Sequence, residues 1–500
     1  MGWKSALIKP YAAYISRRID RMAKNAVRDQ HAIRRQIVEK ARDTIYGRDH
    51  HFGDIRSYED FKAAVPIHDY EGGRPYFDRV KDGEKDVLWP GKPTYFAKTS
   101  GTTSGIKYIP ITRDSLPNHF ETARNALLHY GIKTGNLDFI DGKLIFLSGS
   151  PKLDQTNGIL TGRLSGIVNH QVPGWLKKSQ VPSWETNCIE DWETKVDRIV
   201  EETRQIDLRL ISGIPPWVQM YYEKLLAATG KSTVLEQFPN FSVFVYGGVN
   251  FEPYRNQLEA LTGGRIDSVE TYPASEGFIA FQDAYPHAGM LLNSRSGIFF
   301  EFVPAREFGT ENARRLALEE VETGTDYVLI INSNAGLWGY NLGDTIRFVS
   351  TDPYRVVVTG RLKHFISAFG EHVIGKEIEL ALSETLKKWP AEVVELTVAP
   401  QVNPEEGLPY HEWFIEFGRE PEDLEAFQAD LDREMVRQNA YYEDLIVGHI
   451  LRPLVVTRLA PEAFRNLMKA RGKLGGQNKV PRLANDREIA AILEQYRLGD

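Results

Sequence analysis

Apolar residues along this chain fall in short runs that alternate with stretches of helical spacing. KLIFLSG (143–149), LRLISG (208–213), FSVFVYGG (241–248), IDSVETY (266–272), DYVLIINS (326–333) and YRVVVTG (354–360) are short apolar runs bounded by turn-forming residues. They predict buried strands. PPWVQMYYEKLLAAT (215–229), with proline at its start, and EPYRNQLEAL (252–261) predict helices. Such alternation implies sheets covered by helices, an α/β arrangement. Near residue 360 the texture changes. VVVTGRLKHFISAFGEHVIGKEIELAL passes from a strand through a basic turn into a helix, followed by VVELTVAP, HEWFIEFG and a charged helix over about 421–439. The pattern divides the chain into a large domain over 1–360 and a small α+β domain over 361–500, joined at 360–364.

The length, 500 residues, agrees with more than one core. The net charge of −7 argues against a general nucleic-acid binder, which needs a basic surface. The single cysteine, Cys188, allows no internal disulfide and fits a reducing cytoplasm. No apolar run approaches bilayer length, and the start lacks the uninterrupted apolar core of a signal peptide. Residues 11–45 are rich in arginine and alanine at helical spacing. Interspersed acidic residues favour a solvated helix face there over a membrane-surface helix. The oligomeric state is not specified, and a monomer is compatible with the sequence.

Four stretches carry candidate chemistry. TSGTTSGIKYIPIT (99–112) packs glycines and hydroxyls ahead of Lys107, between two strand-like flanks. It lacks the Gly-Lys-Ser/Thr of a Walker loop. In a hairpin-like turn, backbone N–H groups and hydroxyls would hold phosphate without a helix dipole. Tyr272, Ser275 and Glu276 follow a strand, where ligands of α/β sheets bind, and Glu276 suits Mg²⁺. Asp344, after Gly343, suits the two hydroxyls of a ribose. Lys479 stands in a Gly/Pro-bounded loop as a mobile cation. Taken singly, the last three stretches read better as ordinary turns or a solvated lysine, and only the hydroxyl-rich loop favours a ligand over a plain surface turn. Gly-x-Ser-x-Gly, His-Glu-x-x-His and Gly-x-Gly-x-x-Gly do not occur, which argues against the corresponding hydrolases, zinc enzymes and dinucleotide folds.

Taken in order, the set resembles the adenylate-forming superfamily, and within it the Gretchen Hagen type acyl-acid amido synthetases, the auxin- and jasmonate-conjugating family. The resemblance rests on TSGTTSG, ISGIPPW (211–217), YGGVNFEPY (246–254), TYPASEG (271–277), Tyr340-Asn-Leu-Gly-Asp344, Gly-Arg361-Leu-Lys and GGQNKVPR (475–482). It implies a large adenylation domain followed by a smaller mobile domain. It implies that Ser100, Gly101, Thr102, Thr103 and Lys107 hold phosphate, and that Gly247, Gly248 and Val249 form the adenine-side turn. Tyr272 would stack on adenine, Ser275 would sit beside the reacting carboxylate, and Glu276 would bind Mg²⁺. Tyr340 and Asp344 would serve the ribose side, Arg361 would follow at the domain joint, and Lys479 would be delivered by the small domain. The chain departs from plant members at Thr99 and Thr103, at Pro273, and at Asn341, where arginine is usual.

The implied reaction uses ATP and Mg²⁺. A carboxylic acid becomes an acyl-adenylate with loss of pyrophosphate, and the amine of an amino acid then displaces AMP. The partners are small molecules, with neither nucleic acid nor membrane involved. Alternatives are an acyl-CoA ligase and a non-catalytic nucleotide-binding homologue. Trp217, Tyr221 and Tyr222 read either as acyl-pocket lining or as core, and Arg124 reads first as an ordinary helix residue, with pairing to an acidic substrate the lesser alternative.

Overall fold

The computed structural model of the chain describes every residue except 1, 101–105, 173, 190, 248–250, 286–288, 311, 363–364, 367–372, 403, 405, 448–450, 473–478, 485–486 and 500. The chain forms two compact units. One comprises Met1–Val249 and Glu259–Val358, the other Asn250–Leu258 and Thr359–Asp500. The architecture is mixed α/β, with the larger unit mostly N-terminal and the smaller C-terminal.

The larger unit is built on an eleven-stranded sheet. Its order is Ile298–Pro304, Asp326–Ser333, Tyr340–Thr351, Tyr354–Arg361, Met290–Leu292, Gly277–Phe281, Asp267–Ala274, Val243–Gly247, Leu208–Ser212, Lys143–Phe146 and Gln180–Val181. The last five run parallel to one another. Asp267–Ala274 pairs antiparallel with Gly277–Phe281, where the sheet changes character. The apolar runs of the sequence become strands here because continuous runs can be buried on both faces. Ile298–Pro304 is buried throughout its length. The helix Leu116–Thr134 lies against the Gly277–Phe281 strand, and the N-terminal helix Trp3–Lys24 packs on that helix in turn.

A second sheet has four strands in the order Ile106–Ile111, Tyr95–Ser100, Ile159–Gly162 and Asp154–Thr156. Its first two strands are the flanks of the hydroxyl-rich loop. They pair antiparallel, with Thr99 opposite Lys107 and Ser100 opposite Ile106.

The smaller unit has a three-stranded sheet of Glu392–Gln401, Tyr410–Arg419 and Val455–Leu459. Alternation along Tyr410–Arg419 serves two cores. Trp413 and Ile415 face Ile378, Leu382, Phe427 and Leu431 of the helices Gly375–Lys388 and Leu424–Gln438. Phe414, between them, packs with Phe464, Leu467 and Leu493 on the other side. The inclusion of 250–258 in this unit, drawn from the middle of the chain, has no signal in the hydrophobic pattern.

Candidate functional site

Two of the sequence motifs meet in the larger unit. Ser275 and Glu276 form the turn between Asp267–Ala274 and Gly277–Phe281, with Ala274 opposite Gly277. The turn is bolted down from one side. Asn118, on the helix Leu116–Thr134, accepts from the Phe278 N–H at 2.6 Å and donates to the Phe278 carbonyl at 3.3 Å. Asn293 also donates to that carbonyl, at 3.1 Å.

The second motif lies on Tyr340–Thr351, where the pairing with Asp326–Ser333 breaks register. Ile330 faces Asn341 but Val328 faces Thr345, so extra residues are accommodated around Gly343. Such a bulge bends a strand and re-aims its side chains. Gly343 has φ +83°, a left-handed value that costs other residues roughly 1–2 kcal/mol. The Asn341 side-chain oxygen accepts from the Gly343 N–H at 2.8 Å and closes the bulge.

The bulge turns Asp344 inward, where it is buried and accepts from the Tyr272 hydroxyl at 2.5 Å. Tyr340 donates to Glu276 at 3.3 Å. Each motif thus contributes one tyrosine and, four residues later, one carboxylate, and each tyrosine reaches the other motif's carboxylate. Burial first, then the nearby Glu276 carboxylate, push the Tyr340 hydroxyl well above its ordinary range. It stays a donor at neutral pH. Ser275 and Glu276 are half-buried.

Lys107 joins this cluster through two intermediaries, Tyr70 and Phe77. Its ammonium lies 5.9 Å from the centre of the Tyr70 ring. The Tyr70 hydroxyl accepts from the Tyr108 N–H at 3.1 Å. The Tyr70 ring stacks on Phe77 at 4.8 Å, and Phe77 meets Tyr340 edge-on at 6.1 Å. His68 runs alongside Tyr340, accepting through its carbonyl from the Asn341 N–H at 2.8 Å. Tyr70 and Asn118 escaped sequence reasoning because neither sits in a motif, and their roles depend on partners far away in the chain.

Gly247 ends its strand opposite Thr271. A Cβ there would lie 2.3 Å from the Thr271 carbonyl oxygen, so the backbone approach demands glycine. Gly101, Thr102, Thr103, Gly248 and Val249 lie outside the described residues. Ser100 and Arg361 are described as strand backbone only. Lys479 belongs to the smaller unit and is exposed. The segment after it is held firmly. The Pro481 carbonyl accepts from Thr397 at 2.7 Å, and Leu483 bridges to Val398. Arg482, with 16% of its side chain exposed, pairs with Glu395 and donates to the Tyr254 hydroxyl at 2.7 Å. Burial disfavours its charge, but Glu395, Tyr254 and Glu379 outweigh that and raise its pKa.

Trp217, Tyr221 and Tyr222 are buried. Trp217 packs on Trp192 at 4.7 Å, and the Tyr221 hydroxyl bonds to Thr203 at 2.7 Å, which is core packing. Arg124 donates to Asn125 and lies over the Tyr11 ring. Among the described residues, no group of three or more His, Cys, Asp or Glu is arranged to hold a metal ion.

Comparison with known proteins adds a family. Residues 15–196 match the GH3 family N-terminal domain, 291–361 the GH3 family central domain and 376–488 the GH3 family C-terminal domain. A jasmonoyl–L-amino acid synthetase of Oryza sativa subsp. japonica is 22% identical, over 93% of each chain. Among solved structures, an acyl acid amido synthetase, AtGH3.15, in complex with 2,4-DB superimposes with a TM-score of 0.82 at 16% identity, covering 98% of this chain and 96% of that one. A 2-hydroxyisobutyryl-CoA ligase in the postadenylation state follows at 0.60 and 14% identity, covering 95% and 92%. These two likenesses establish the fold.

Proposed function

The chain belongs to the GH3 family, and on that premise we propose that it is an ATP-dependent acyl-acid amido synthetase. It joins a carboxylic acid to the amine of an amino acid through an acyl-adenylate, forming a carbon–nitrogen bond. The observation that carries this reading is the meeting of Tyr272, Glu276, Tyr340 and Asp344 at one place, since an adenylating site needs a nucleoside-binding carboxylate and a phosphate-side carboxylate held apart but in register.

A free carboxylate is a poor electrophile. Its attack on the α-phosphorus of ATP expels pyrophosphate and leaves AMP as a good leaving group. Two anions must first approach each other, so catalysis is a matter of positioning and charge stabilisation. In this reading Ser100, Gly101, Thr102, Thr103 and Lys107 hold the phosphates. Gly247, Gly248 and Val249 border adenine, Tyr272 stacks on it, and Asp344 takes the ribose hydroxyls. Ser275 sits beside the reacting carboxylate. Glu276 offers a hard oxygen donor on a half-exposed turn, which fits Mg²⁺, an ion that takes one or two carboxylates and shares the rest with phosphate and water. Mg²⁺ there would neutralise phosphate charge. Tyr340 orients the Glu276 carboxylate. Residues 361–500 act as a mobile domain that brings Lys479 to the phosphates and withdraws it for the second half-reaction, with Arg361 at the joint. A cytoplasmic location fits the single cysteine, and the reading takes the protein as a monomer. Among the described residues no helix is long and apolar enough to cross a membrane.

The test is pyrophosphate release from ATP and Mg²⁺ with a panel of aryl, indole and aliphatic acids, with pooled amino acids or coenzyme A in parallel and products read by mass spectrometry. Acid-dependent pyrophosphate with an N-acyl amino acid supports the proposal. An acyl-CoA product instead overturns the choice of acceptor. ATP binding without pyrophosphate under every acid marks a non-catalytic homologue.

A further inference from the structure

The N-terminal helix Trp3–Lys24 has two faces of different character. Ala12, Ile15, Ile19 and Met22 are buried in a core shared with Tyr130 and Phe139. The outward face carries Trp3 (72% exposed), Leu7 (71%), Tyr11 (40%) and Tyr14 (53%), the largest cluster of exposed big apolar side chains along any one element among the described residues. Their spacing is four, four and three, so they form one stripe, and Arg18 and Arg21 continue it at four and three. At about 1.5 Å per residue the apolar part is roughly 16 Å long.

Charge singles out the partner. The helix holds six lysines and arginines against one acid, Asp20, in a chain whose net charge is −7. Asp20 is neutralised by Lys133, 2.8 Å away. Lys9, Arg17, Arg18, Arg21 and Lys24 are exposed. The acidic residues that favoured a solvated face in the sequence reading lie, apart from Asp20, beyond this helix. Tryptophan and tyrosine prefer the headgroup boundary, where a ring is half apolar and half polar. A helix with such a face and flanking arginines lies in the plane of an anionic bilayer surface.

We propose that the outward face of Trp3–Lys24 docks the protein on anionic lipid surfaces, with Trp3, Leu7, Tyr11 and Tyr14 entering the headgroup boundary and Arg17, Arg18 and Arg21 contacting lipid phosphates. This inference is independent of the catalytic reading.

The experiment is vesicle flotation of the full chain with mixed phosphatidylcholine–phosphatidylglycerol vesicles and with pure phosphatidylcholine, at low and high salt. The expected result is co-flotation with the anionic vesicles that high salt weakens. Trp3→Ser with Leu7→Ser should weaken it on the order of tenfold or more. Arg17→Ser with Arg18→Ser and Arg21→Ser should remove the preference for anionic lipid. All five side chains are exposed or half-exposed, so unchanged circular dichroism and melting are expected and separate loss of docking from loss of fold. Absence of flotation with the anionic vesicles overturns the proposal. So does unchanged flotation of the Trp3/Leu7 variant, or concentration-dependent self-association that the same variant abolishes, which would make a second copy the occupant of this face.

Discussion

The Tyr272 hydroxyl donates to Asp344 Oδ2 at 2.5 Å, and this buried bond ties the strand Asp267–Ala274 to the bulge on Tyr340–Thr351. Across the same junction Tyr340 donates to Glu276. Neither pair is adjacent in sequence, and the two bonds hold both carboxylates relative to one another.

Asp344→Ala should raise the KM for ATP by roughly ten- to a hundredfold, the range for losing a hydrogen bond to a charged group. Tyr272→Phe keeps the ring and loses the bond that orients Asp344, so its effect should be on the order of fivefold. Steady-state kinetics with ATP varied decides this. An unchanged KM and turnover in the Asp344 variant would remove the ribose assignment.

Tyr340→Phe should raise the Mg²⁺ concentration needed for half-maximal pyrophosphate release several-fold without altering the KM for ATP at saturating metal. The variant frees Glu276 from its orienting donor while leaving the apolar packing against Phe77 intact. A double-mutant cycle with Glu276→Gln should show coupling of about 1 kcal/mol or more. Strict additivity would mean that the 3.3 Å contact does not orient the carboxylate.

Lys479→Ala and Arg482→Ala stand three residues apart and should fail differently. Lys479 is exposed, so its loss should reduce adenylation on the order of a hundredfold with little change in melting. Arg482→Ala leaves Glu395 without its buried partner and should destabilise the smaller unit by about 3–5 kcal/mol. Thermal unfolding run beside single-turnover adenylation separates the two. A folded Lys479→Ala protein with normal adenylation would count against the role of that lysine.

His119 makes stability depend on acid. Burial in the helix Leu116–Thr134 holds its imidazole down to about 4, against an ordinary value of 6.5. Between those values the unfolded chain binds a proton that the native chain does not. Stability present above pH 6.5 is therefore lost as the pH falls toward 4, by on the order of 3 kcal/mol in all. Urea unfolding at pH 7 and pH 5 measures it. His119→Leu should flatten the difference, and an unaltered slope would show that other groups carry it.

The strands Leu208–Ser212, Val243–Gly247 and Asp326–Ser333 were legible as apolar runs, and the helix Pro215–Thr229 as a periodic stretch opened by proline. The flanks of the hydroxyl-rich loop were legible as a hairpin for the same reason. The assembly of the site was less so. Tyr70 contacts Lys107 from a segment without periodicity. Asn118 acts on Phe278 from 160 residues away. The ambiguity of Trp217, Tyr221 and Tyr222 ended only with their burial, because aromatic residues at helical spacing look alike in a pocket and in a core.

Local sequence alone determined which segments become strands and helices and where the glycines bend them. Those are short-range matters, set by side-chain period and backbone sterics. Pairing was decided only in three dimensions. The register break at Gly343 turns Asp344 toward Tyr272, Asn118 pins the Glu276 turn, and the packing of Ala12, Ile15 and Ile19 leaves Trp3 and Leu7 facing outward. Each depends on contacts between residues distant along the chain, and such contacts exist only after burial has selected one arrangement from many compatible with the same local pattern.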